Sequence, residues 1–366
     1  MNILFISNLT GNLFAGPNYS VPAQILAQSK YDHVMWYNLN NVKRPEWSQN
    51  GLDCKNLEDY PTARLTDLPE PFNKPDLAVV EELYSYPFCK LIADLQKSKI
   101  PYIIVPRSTM TEQAQKKKAL KKWIGNLIWF YSMVHKAAAV QYLTKEEQFE
   151  SAGWKVKSFV IPNGTYPQTE KKQDFSPVGI KGTYIGRFET YQKGLDLLLS
   201  ALSAEQHLLR EAGFSLNLYG PNQEGSEEML QKQAKELGIE DMLTFHGPVF
   251  KEEKKAVLLS TDVFIMTSRF EGLPMGMIEA LAYGIPCVAT VGTNLAEEVG
   301  QYDAGWTATN DVESIQHALR SMVTDRDKLM QKSENAIRMA DMYSWDAIAK
   351  QSHAEYEKIL KAVSTR

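Results

Sequence analysis

Two glutamates stand eight positions apart around the expected start of a helix. Glu271 precedes a turn glycine and Pro274, which suits a first helical position because its missing N–H would have had no partner there. Glu279 lies roughly 7.5 Å further along the helix axis than Pro274. The N–H groups and positive dipole end between the glutamates favour phosphate. Because carboxylates repel phosphate, we expect the glutamates to bind hydroxyl groups, as the ribose and hexose of a nucleotide sugar would offer. The alternative is that both complement the helix dipole and face solvent.

A second segment supplies positive charge. The apolar run 182–185 predicts a strand that breaks at Gly186, and an amphipathic helix is expected to open at Tyr191. Arg187 and Lys193 therefore flank a strand-to-helix loop at the carboxyl edge of a sheet, where open α/β folds bind ligands. Two cations there could neutralise a diphosphate, the guanidinium as a planar fork and the ammonium as a point charge. The alternative is a pair of solvated surface cations.

These two segments resemble part of a known family, the retaining family 4 glycosyltransferases (glycosyl transferases group 1) of the GT-B fold. The spacing of Glu271 and Glu279 is similar to the family's Glu-x7-Glu signature. The matching stretches, in chain order, are Gly186-Arg187, Lys193-Gly194-Leu195-Asp196, Phe245-His246-Gly247, Ser268, Glu271-Gly272-Leu273-Pro274, Glu279-Ala280 and Gly284-Ile285-Pro286-Cys287-Val288-Ala289. The first half resembles the family more weakly, at 103–108 and 161–164.

The resemblance implies an α/β protein of the GT-B class, with two Rossmann-like, doubly wound domains that face a central cleft. It implies transfer of a hexose-type sugar from a nucleotide diphosphate sugar to a glycan or lipid-linked acceptor, with retention of anomeric configuration. The resemblance to polysaccharide-building bacterial members of the family also implies a role in cell-surface polysaccharide synthesis. No metal and no other cofactor is expected, because the nucleotide sugar is itself a substrate.

The resemblance also assigns roles to single residues. Glu271 would bind hydroxyls of the transferred sugar, while Arg187 and Lys193 would hold the leaving diphosphate. Arg107 would contact the sugar or the acceptor, and its role stays open because many relatives carry His there and some polysaccharide-building ones share Arg. The expected donor-binding residues are Glu279 at the ribose, His246 and Gly247 at the base, Gly272, Met275 and Gly276 at the helix start, Gly16 in an amino-terminal turn, and Asn294 beside a closing loop.

The length of 366 residues suits two domains with substantial cores. Strands alternate with helices in both halves, which predicts parallel sheets with right-handed crossovers. Pro and Gly cluster near 161–167, so we expect an acceptor domain over 1–163 and a donor domain over 164–344, with the helix in 345–366 returning to the first, as in the family. The expected strands are 2–7, 33–37, 77–80, 102–105, 139–143, 182–185, 215–219, 243–246, 263–266 and 286–290.

Composition excludes several classes of protein. The net charge of −4 gives no global case for nucleic-acid binding. Cys54, Cys89 and Cys287 form no close pair, which argues against a disulfide framework or a structural zinc site. The stretch 325–327 spells Asp-x-Asp but lies in polar sequence after a helix, so we interpret it as surface and predict no metal site. Without a signal peptide or a long apolar run, a cytoplasmic setting is expected.

One segment combines charge with aromatic residues. Residues 116–122 hold five lysines, and 123–131 hold Trp123, Trp129, Phe130 and Tyr131. Such a segment can lie on an anionic membrane surface, at the inner face of the cell membrane here, or bind an acceptor that carries pyrophosphate. The alternative is a solvated helix face that runs into a buried helix.

Three rival interpretations come from other classes. The first is a non-catalytic accessory protein with the same fold, which binds a glycan or a partner. Its one support is Arg107, and the presence of both glutamates and both cations opposes it. A two-domain solute-binding protein would need an export signal. A sugar-nucleotide epimerase would leave the basic aromatic segment without a purpose.

Overall fold

A computed structural model of the chain describes residues 1–12, 16–116, 118–222 and 225–364. The expected turn before Gly16 includes residues 13–15, and the basic segment includes Lys117; these lie outside the described residues. The described residues form thirteen β-strands, fifteen α-helices and one π-helical turn, besides short 3-10 helices.

The strands are β1 Asn2–Ser7, β2 His33–Asn38, β3 Cys54–Asn56, β4 Leu77–Glu81, β5 Tyr102–Val105, β6 Ala139–Tyr142, β7 Ser158–Val160, β8 Ile180–Ile185, β9 Phe214–Tyr219, β10 Leu243–His246, β11 Val263–Met266, β12 Cys287–Thr290 and β13 Gly305–Ala308. The helices are α1 Pro17–Gln28, α2 Lys90–Lys97, α3 Glu112–Lys116, α4 Ala119–Gly125, α5 Tyr131–Lys136, α6 Lys145–Glu150, α7 Leu195–Ala204, α8 Gln206–Glu211, α9 Ser226–Glu236, α10 Lys251–Ser260, α11 Met275–Ala282, α12 Ala296–Tyr302, α13 Val312–Thr324, α14 Leu329–Asp341 and α15 Trp345–Ser364. The π-helical turn, Asn126–Phe130, joins α4 to α5, and 3-10 turns lie at Pro45–Gly51, Leu65–Asp67, Ala152–Trp154, Glu240–Met242, Val291–Thr293 and Arg326–Lys328.

The first unit comprises Met1–Gly164 and the C-terminal segment from Trp345. Its seven-stranded parallel sheet has the order β3-β2-β1-β4-β5-β6-β7, so the strand order reverses between β1 and β4. The central strands are apolar and buried on both faces, as the helices of a doubly wound sheet require.

The second unit comprises Thr165–Ser344. Its six-stranded parallel sheet has the order β10-β9-β8-β11-β12-β13. The chain builds outward from β8 through β9 to β10, then returns to β11 and builds the other way. The switch point therefore lies between β8 and β11, whose carboxyl ends are where ligands of such sheets bind. The expected boundary was one residue before the division that the structure has.

The last helix, α15, packs against α1 of the first unit. Trp345, Ile348 and Ala349 share an apolar cluster with Ala23 and Ala27 of α1. Further along α15, the buried Tyr356 hydroxyl donates a hydrogen bond to Gln141 of β6 at 2.9 Å. The C-terminal segment therefore contributes to the core of the first unit.

All ten expected strands are present, with ends displaced by at most two residues, and three further strands were missed. The missed strands, β3, β7 and β13, each lie at the edge of a sheet and are three or four residues long. Edge strands are short and bury fewer side chains, so they lack the apolar run that marks a central strand.

Two details near the glutamates and cations differ from expectation. The helix expected to open at Tyr191 begins at Leu195, because residues 190–194 form turns that end in Gly194 at a φ of 62°. Pro274 precedes α11 rather than being its first helical residue, with a φ of −80° and a ψ of 83°. Neither difference moves a candidate residue away from the carboxyl edge of the sheet.

Candidate functional site

The loops after β8 and β11 meet at the switch point of the second sheet. The loop after β8 carries Arg187 and Lys193, and the loop after β11 carries Ser268 and Glu271. A backbone hydrogen bond joins the two loops: the amide of Arg269 donates to the carbonyl of Gln192 at 2.8 Å. Residues that are distant in sequence but expected to act together therefore lie on two loops that contact each other.

Lys193 and Glu271 form an ion pair across these loops. The Lys193 ammonium donates to Glu271 Oε1, and the Ser268 hydroxyl donates to the same oxygen at 2.8 Å. Both charged side chains are about nine-tenths buried, at 11% and 10% exposed. Such a pair is fixed by its surroundings, since a buried charge without a partner would be costly.

Gly194 allows the close approach behind this ion pair. A Cβ atom on Gly194 would lie 2.0 Å from the carbonyl oxygen of Thr267, and its φ of 62° is the left-handed region. The Thr267 hydroxyl also donates to the carbonyl of Gly194 at 3.0 Å. The glycine therefore lets the Lys193 loop pack directly on the end of β11.

Arg269 stabilises the loop that carries Lys193, and the sequence analysis did not predict this role. Its two terminal nitrogens bind both oxygens of Asp196 at 2.7 Å, and its guanidinium lies 4.5 Å from the centroid of the Tyr191 ring. The hydrogen bond to Asp196 raises the pKa of Arg269 above its ordinary value. The only available signal was the position of Arg269 beside the expected glutamate. Arg187 itself is exposed just beyond β8, and the Tyr184 hydroxyl donates to its carbonyl at 2.8 Å.

The start of α11 lies beside the end of β8. Met275 and Gly276 are its first two residues, and a Cβ atom on Gly276 would lie 3.3 Å from the carbonyl oxygen of Ile185. Glu279, one turn further along, pairs with the ammonium of Lys254 on α10. Sequence reasoning missed Lys254, because nothing in the local pattern of α10 separates it from its lysine neighbours.

Asn294, which lies shortly after β12, contacts the loop that carries Glu271. Its side-chain amide donates to the carbonyl of Glu271 at 2.5 Å and to that of Gly272 at 3.3 Å. Nearby, Gly292 lies so close to the carbonyls of Ser268 and Arg269 that a Cβ atom would approach them within 2.3 and 2.2 Å. Asn294 thus holds the backbone around Glu271 rather than facing solvent freely.

His246 and Gly247 mark the outer end of the same edge. His246 is the last residue of β10, and its ring stacks on Tyr219 of β9 with centroids 4.4 Å apart and planes 10° apart. The imidazole Nε2 lies 3.0 Å from Asn217 Oδ1. Ten of the expected site residues therefore lie along one edge of the second sheet.

The other two expected residues, Gly16 and Arg107, lie in the first unit. Gly16 directly precedes α1, and Arg107 follows β5. The Arg107 side chain is only 6% exposed and pairs with the fully buried Glu81, which ends β4, at 2.8 Å. Burial raises the pKa of Glu81, and Arg107 opposes that rise. Arg107 is thus held inside the first unit.

The described residues hold neither a group of metal ligands nor a membrane-spanning helix. In residues 1–12, 16–116, 118–222 and 225–364, no three His, Cys, Asp or Glu side chains are grouped as metal ligands would be. Within the same ranges, no helix is both long and apolar enough to cross a membrane.

Comparison with known structures identifies the fold. Sucrose-phosphate synthase from Thermosynechococcus elongatus is 17% identical, with a TM-score of 0.67 over 99% of this chain and 100% of that one. Anabaena HepE, solved in complex with UDP, is 16% identical, with a TM-score of 0.67 over 98% and 100%. Two doubly wound parallel units with these neighbours define the GT-B fold that the sequence predicted.

The sequence of the second unit is similar to a known family. Residues 169–339 match the model of the glycosyl transferases group 1 family. Mannosylfructose-phosphate synthase of Agrobacterium fabrum is 36% identical over 111 residues, which are 29% of this chain and 24% of that protein. The chain spans between 24% and 50% of the length of the first three curated relatives it matches.

Proposed function

We propose that this protein is a glycosyltransferase that moves a hexose-type sugar from a nucleotide diphosphate sugar to a glycan or lipid-linked acceptor. The observation that carries the proposal is the buried Lys193–Glu271 ion pair at the switch point of the second sheet. It brings a cation suited to phosphate and a carboxylate suited to hydroxyls to the place where such sheets bind ligands. The family match and the UDP complex of a protein of the same fold support it.

The charges at the switch point suit a reaction in which a sugar leaves a diphosphate. As the bond from the anomeric carbon to the diphosphate breaks, negative charge grows on the leaving oxygen. Arg187, Lys193 and the N-terminus of α11 near Met275 and Gly276 would stabilise that charge from fixed positions. Glu271 would orient the sugar through its hydroxyls. We propose transfer with retention and without a metal ion.

The remaining edge residues suit the nucleoside. Glu279 would accept hydrogen bonds from the ribose hydroxyls, with Lys254 holding the carboxylate in place. The stacked pair of His246 and Tyr219 would border the base, together with Gly247. The first unit would supply the acceptor side, while Gly16, which directly precedes α1, stays a predicted donor-binding residue. A role in cell-surface polysaccharide synthesis follows from the lipid-linked or glycan acceptor that we propose.

A membrane contact is the second part of the proposal. Large exposed apolar side chains are concentrated in α4, the π-helical turn and the start of α5: Leu120, Trp123, Ile124, Leu127, Ile128 and Tyr131. Trp123 is 64% exposed and Leu127 is 73% exposed. A contiguous apolar face of this kind marks an interaction site. Residues 112–131 hold five lysines and one glutamate, so the face suits an anionic surface.

The described contacts separate the two sides of this helical stretch. Phe130, Met133 and Val134 belong to the core of the first unit, and Lys122 lies 4.9 Å from the centroid of the Tyr84 ring. Lys116, Lys118 and Lys121 are exposed beside the apolar face. Apolar residues flanked by lysines bind the boundary of an anionic bilayer. We propose peripheral contact at the inner face of the cell membrane.

A thermal-shift scan against UDP, GDP, ADP and CMP and their sugar conjugates, with chelator present, tests the catalytic proposal. A ligand at about 100 times its dissociation constant stabilises the folded protein by about 2.7 kcal/mol, which such a scan resolves. A shift with one nucleotide family supports a donor site. No shift with any of them favours an accessory protein that binds a glycan. Proton NMR of the product then reports the anomeric configuration.

A further inference from the structure

Arg107 donates hydrogen bonds to several elements of the first unit. Its Nε binds Glu81 Oε2 at 2.8 Å, and its Nη2 binds Gln24 Oε1 at 3.2 Å. Its Nη1 binds the Ser20 hydroxyl at 3.1 Å and Asn163 Oδ1 at 3.4 Å. One guanidinium thus ties the end of β4, two residues of α1 and the segment after β7 to the loop that follows β5.

That loop has an unusual backbone. Arg107 and Ser108 have φ angles of 50° and 64°, two consecutive non-glycine residues in the left-handed region. Such residues cost about 1–3 kcal/mol each and persist only where the surroundings hold them. A second buried carboxylate holds this turn from the other side: Glu147 accepts the amide of Ser108 on one oxygen and that of Leu143, at 2.8 Å, on the other.

The turn and its partners lie at the switch point of the first sheet. Strand order reverses between β1 and β4, and Glu81 is the last residue of β4. Ser20 and Gln24 lie on α1, which follows Gly16 and packs beside β1 and β2. The Glu81–Arg107 pair therefore fixes the start of α1 relative to β4 and β5.

Stability alone is a poor account of this pair. Removing two charges from water costs several kcal/mol each, and apolar residues of similar volume often stabilise a protein as well or better. Glu81 also has one oxygen, Oε1, that is buried without a hydrogen-bond partner among the described residues. An ion pair at this cost is explained if it fixes a geometry that apolar packing would not specify.

We propose that Glu81 and Arg107 are positioning residues for sugar transfer: they hold the start of α1 and the Arg107–Ser108 turn in the geometry that the acceptor side requires. Arg107 acts through Ser20, Gln24 and its own backbone, without touching the substrate. This inference rests on the proposed function, because the geometry matters only if the acceptor of a sugar transfer binds at this edge of the first sheet. It replaces the expectation that Arg107 contacts sugar or acceptor with a role inside the first unit.

The test compares stability, nucleotide binding and turnover in one double variant. Glu81→Met with Arg107→Met removes both charges together, so the unfolding temperature should stay within about 5 °C of the unmodified protein. Turnover should fall on the order of 100-fold, as expected when a reacting group is displaced by about 1 Å. Turnover is measured as nucleoside diphosphate release from UDP-, GDP- and ADP-sugars, with a bacterial membrane lipid extract as acceptor. Affinity for the nucleotide should not change.

A second variant separates positioning from direct contact. Ser20→Ala with Gln24→Met leaves Arg107 and Glu81 in place but removes two acceptors of the guanidinium. Positioning through α1 requires this variant to lose turnover as well, and combining it with Arg107→Met should add little further loss. If it keeps full turnover while Arg107→Met loses it, Arg107 contacts the substrate and the inference is wrong.

The same measurements distinguish failure of this inference from failure of the proposed function. A folded Glu81→Met, Arg107→Met protein with normal turnover would overturn the inference and leave the proposed function standing. An unmodified protein that releases no nucleotide from any sugar conjugate would overturn the proposed function and this inference with it. Arg64→Met is a control, because it breaks a more exposed ion pair of the first unit, with Asp94 at 2.9 Å, and should keep full turnover.

Discussion

Lys193 and Glu271 are 78 residues apart in sequence and form a buried ion pair, with Ser268 donating to the same carboxylate oxygen at 2.8 Å. The cation follows β8 and the carboxylate follows β11, the two strands that flank the switch point of the second sheet. Because each charge holds the other in place, a diphosphate that binds Lys193 would act directly on the position of Glu271. Binding of the leaving group and orientation of the sugar are thereby linked.

The first prediction concerns the charge of Glu271. Glu271→Gln keeps the shape of the side chain but removes a charged acceptor, a change worth about 1.5–3 kcal/mol. We expect kcat/KM for the nucleotide sugar to fall about 10- to 150-fold. Steady-state kinetics measures this change. Glu297→Gln is the control, since Glu297 is exposed on α12 and accepts from Gln301, and it should have unchanged kinetics. Equal kinetics for both variants would exclude Glu271 from the sugar site.

The second prediction concerns Gly194. A methyl group there would meet the Thr267 carbonyl at 2.0 Å on a backbone with a φ of 62°. We expect Gly194→Ala to lower the free energy of unfolding by at least about 1–3 kcal/mol and to weaken nucleotide binding, because the Lys193 loop must move. Urea unfolding measures the first effect. Gly153→Ala, where a Cβ atom meets nothing within 4 Å, should change stability by less than about 1 kcal/mol. Similar values for the two variants would contradict the close approach.

The third prediction concerns the exposed apolar face of 120–131. Replacing Trp123 and Leu127 with Ser removes two side chains that would each contribute about 1.5–3 kcal/mol on burial in a bilayer. We expect binding to phosphatidylglycerol vesicles to fall at least about tenfold, measured by sedimentation at low salt. Phe149→Ser, which removes an apolar side chain that is 79% exposed elsewhere in the first unit, should bind normally.

Two further readings of this experiment decide the nature of the contact. Vesicles of phosphatidylcholine alone should bind weakly, because the lysines would have no anionic partner. Among the described residues, Trp123 is the one tryptophan with an exposed side chain. Brominated lipids should therefore quench its fluorescence. Trp123→Phe should remove that quenching while retaining binding. Absence of binding to any vesicle would leave the solvated helix face as the explanation.

The fourth prediction concerns the attachment of α15 to the first unit. The side chain of Asp32 is fully buried, accepts from Gln28 at 2.6 Å and pairs with His353 of α15 at 3.0 Å. Burial opposes its ionisation, but hydrogen bonds from His353, Gln28 and the amino group of Met1, together with the positive charge of that amino group, lower its pKa overall. A lowered pKa in the folded state gives stability that is complete above the unfolded value of about 3.9 and is lost as the pH falls below it.

Asp32→Asn should therefore reduce the free energy of unfolding by about 1–3 kcal/mol at pH 7, and this difference should shrink below about pH 4. Urea unfolding across this pH range measures it. Asp346→Asn is the control, because Asp346 forms an exposed ion pair with Lys30 at 2.8 Å, and it should have little effect. A difference that does not depend on pH would assign the loss to packing instead of charge.

The sequence predicted the fold well wherever strands are central and apolar. β1, β5 and β11 have the expected bounds, because each is a short apolar run between clear breaks. β10 also has its expected bounds, although it lies at an edge of the second sheet. The edge strands β3, β7 and β13 carry no such run, so their existence depends on a neighbour that sequence patterns do not specify.

The candidate site likewise contains residues that sequence patterns predict and residues that they do not. Arg187, Lys193, Glu271 and Glu279 follow strands with clear patterns, so their shared edge could be expected. Lys254, Arg269 and Glu81 contribute through partners 25 or more residues away. Such pairings depend on tertiary packing, and composition and spacing gave no signal for them. The burial of Arg107 has the same origin.

Calorimetric titration of UDP, GDP, ADP and CMP in excess chelator, on the unmodified protein and on Arg187→Ala with Lys193→Ala, tests the central claim most directly. We expect one nucleoside diphosphate to bind the unmodified protein. The double variant should bind it at least about 100-fold more weakly, since two charge-assisted contacts are lost. Equal affinity in the two proteins, or binding of none of the nucleotides, would contradict a diphosphate site at the switch point of the second sheet.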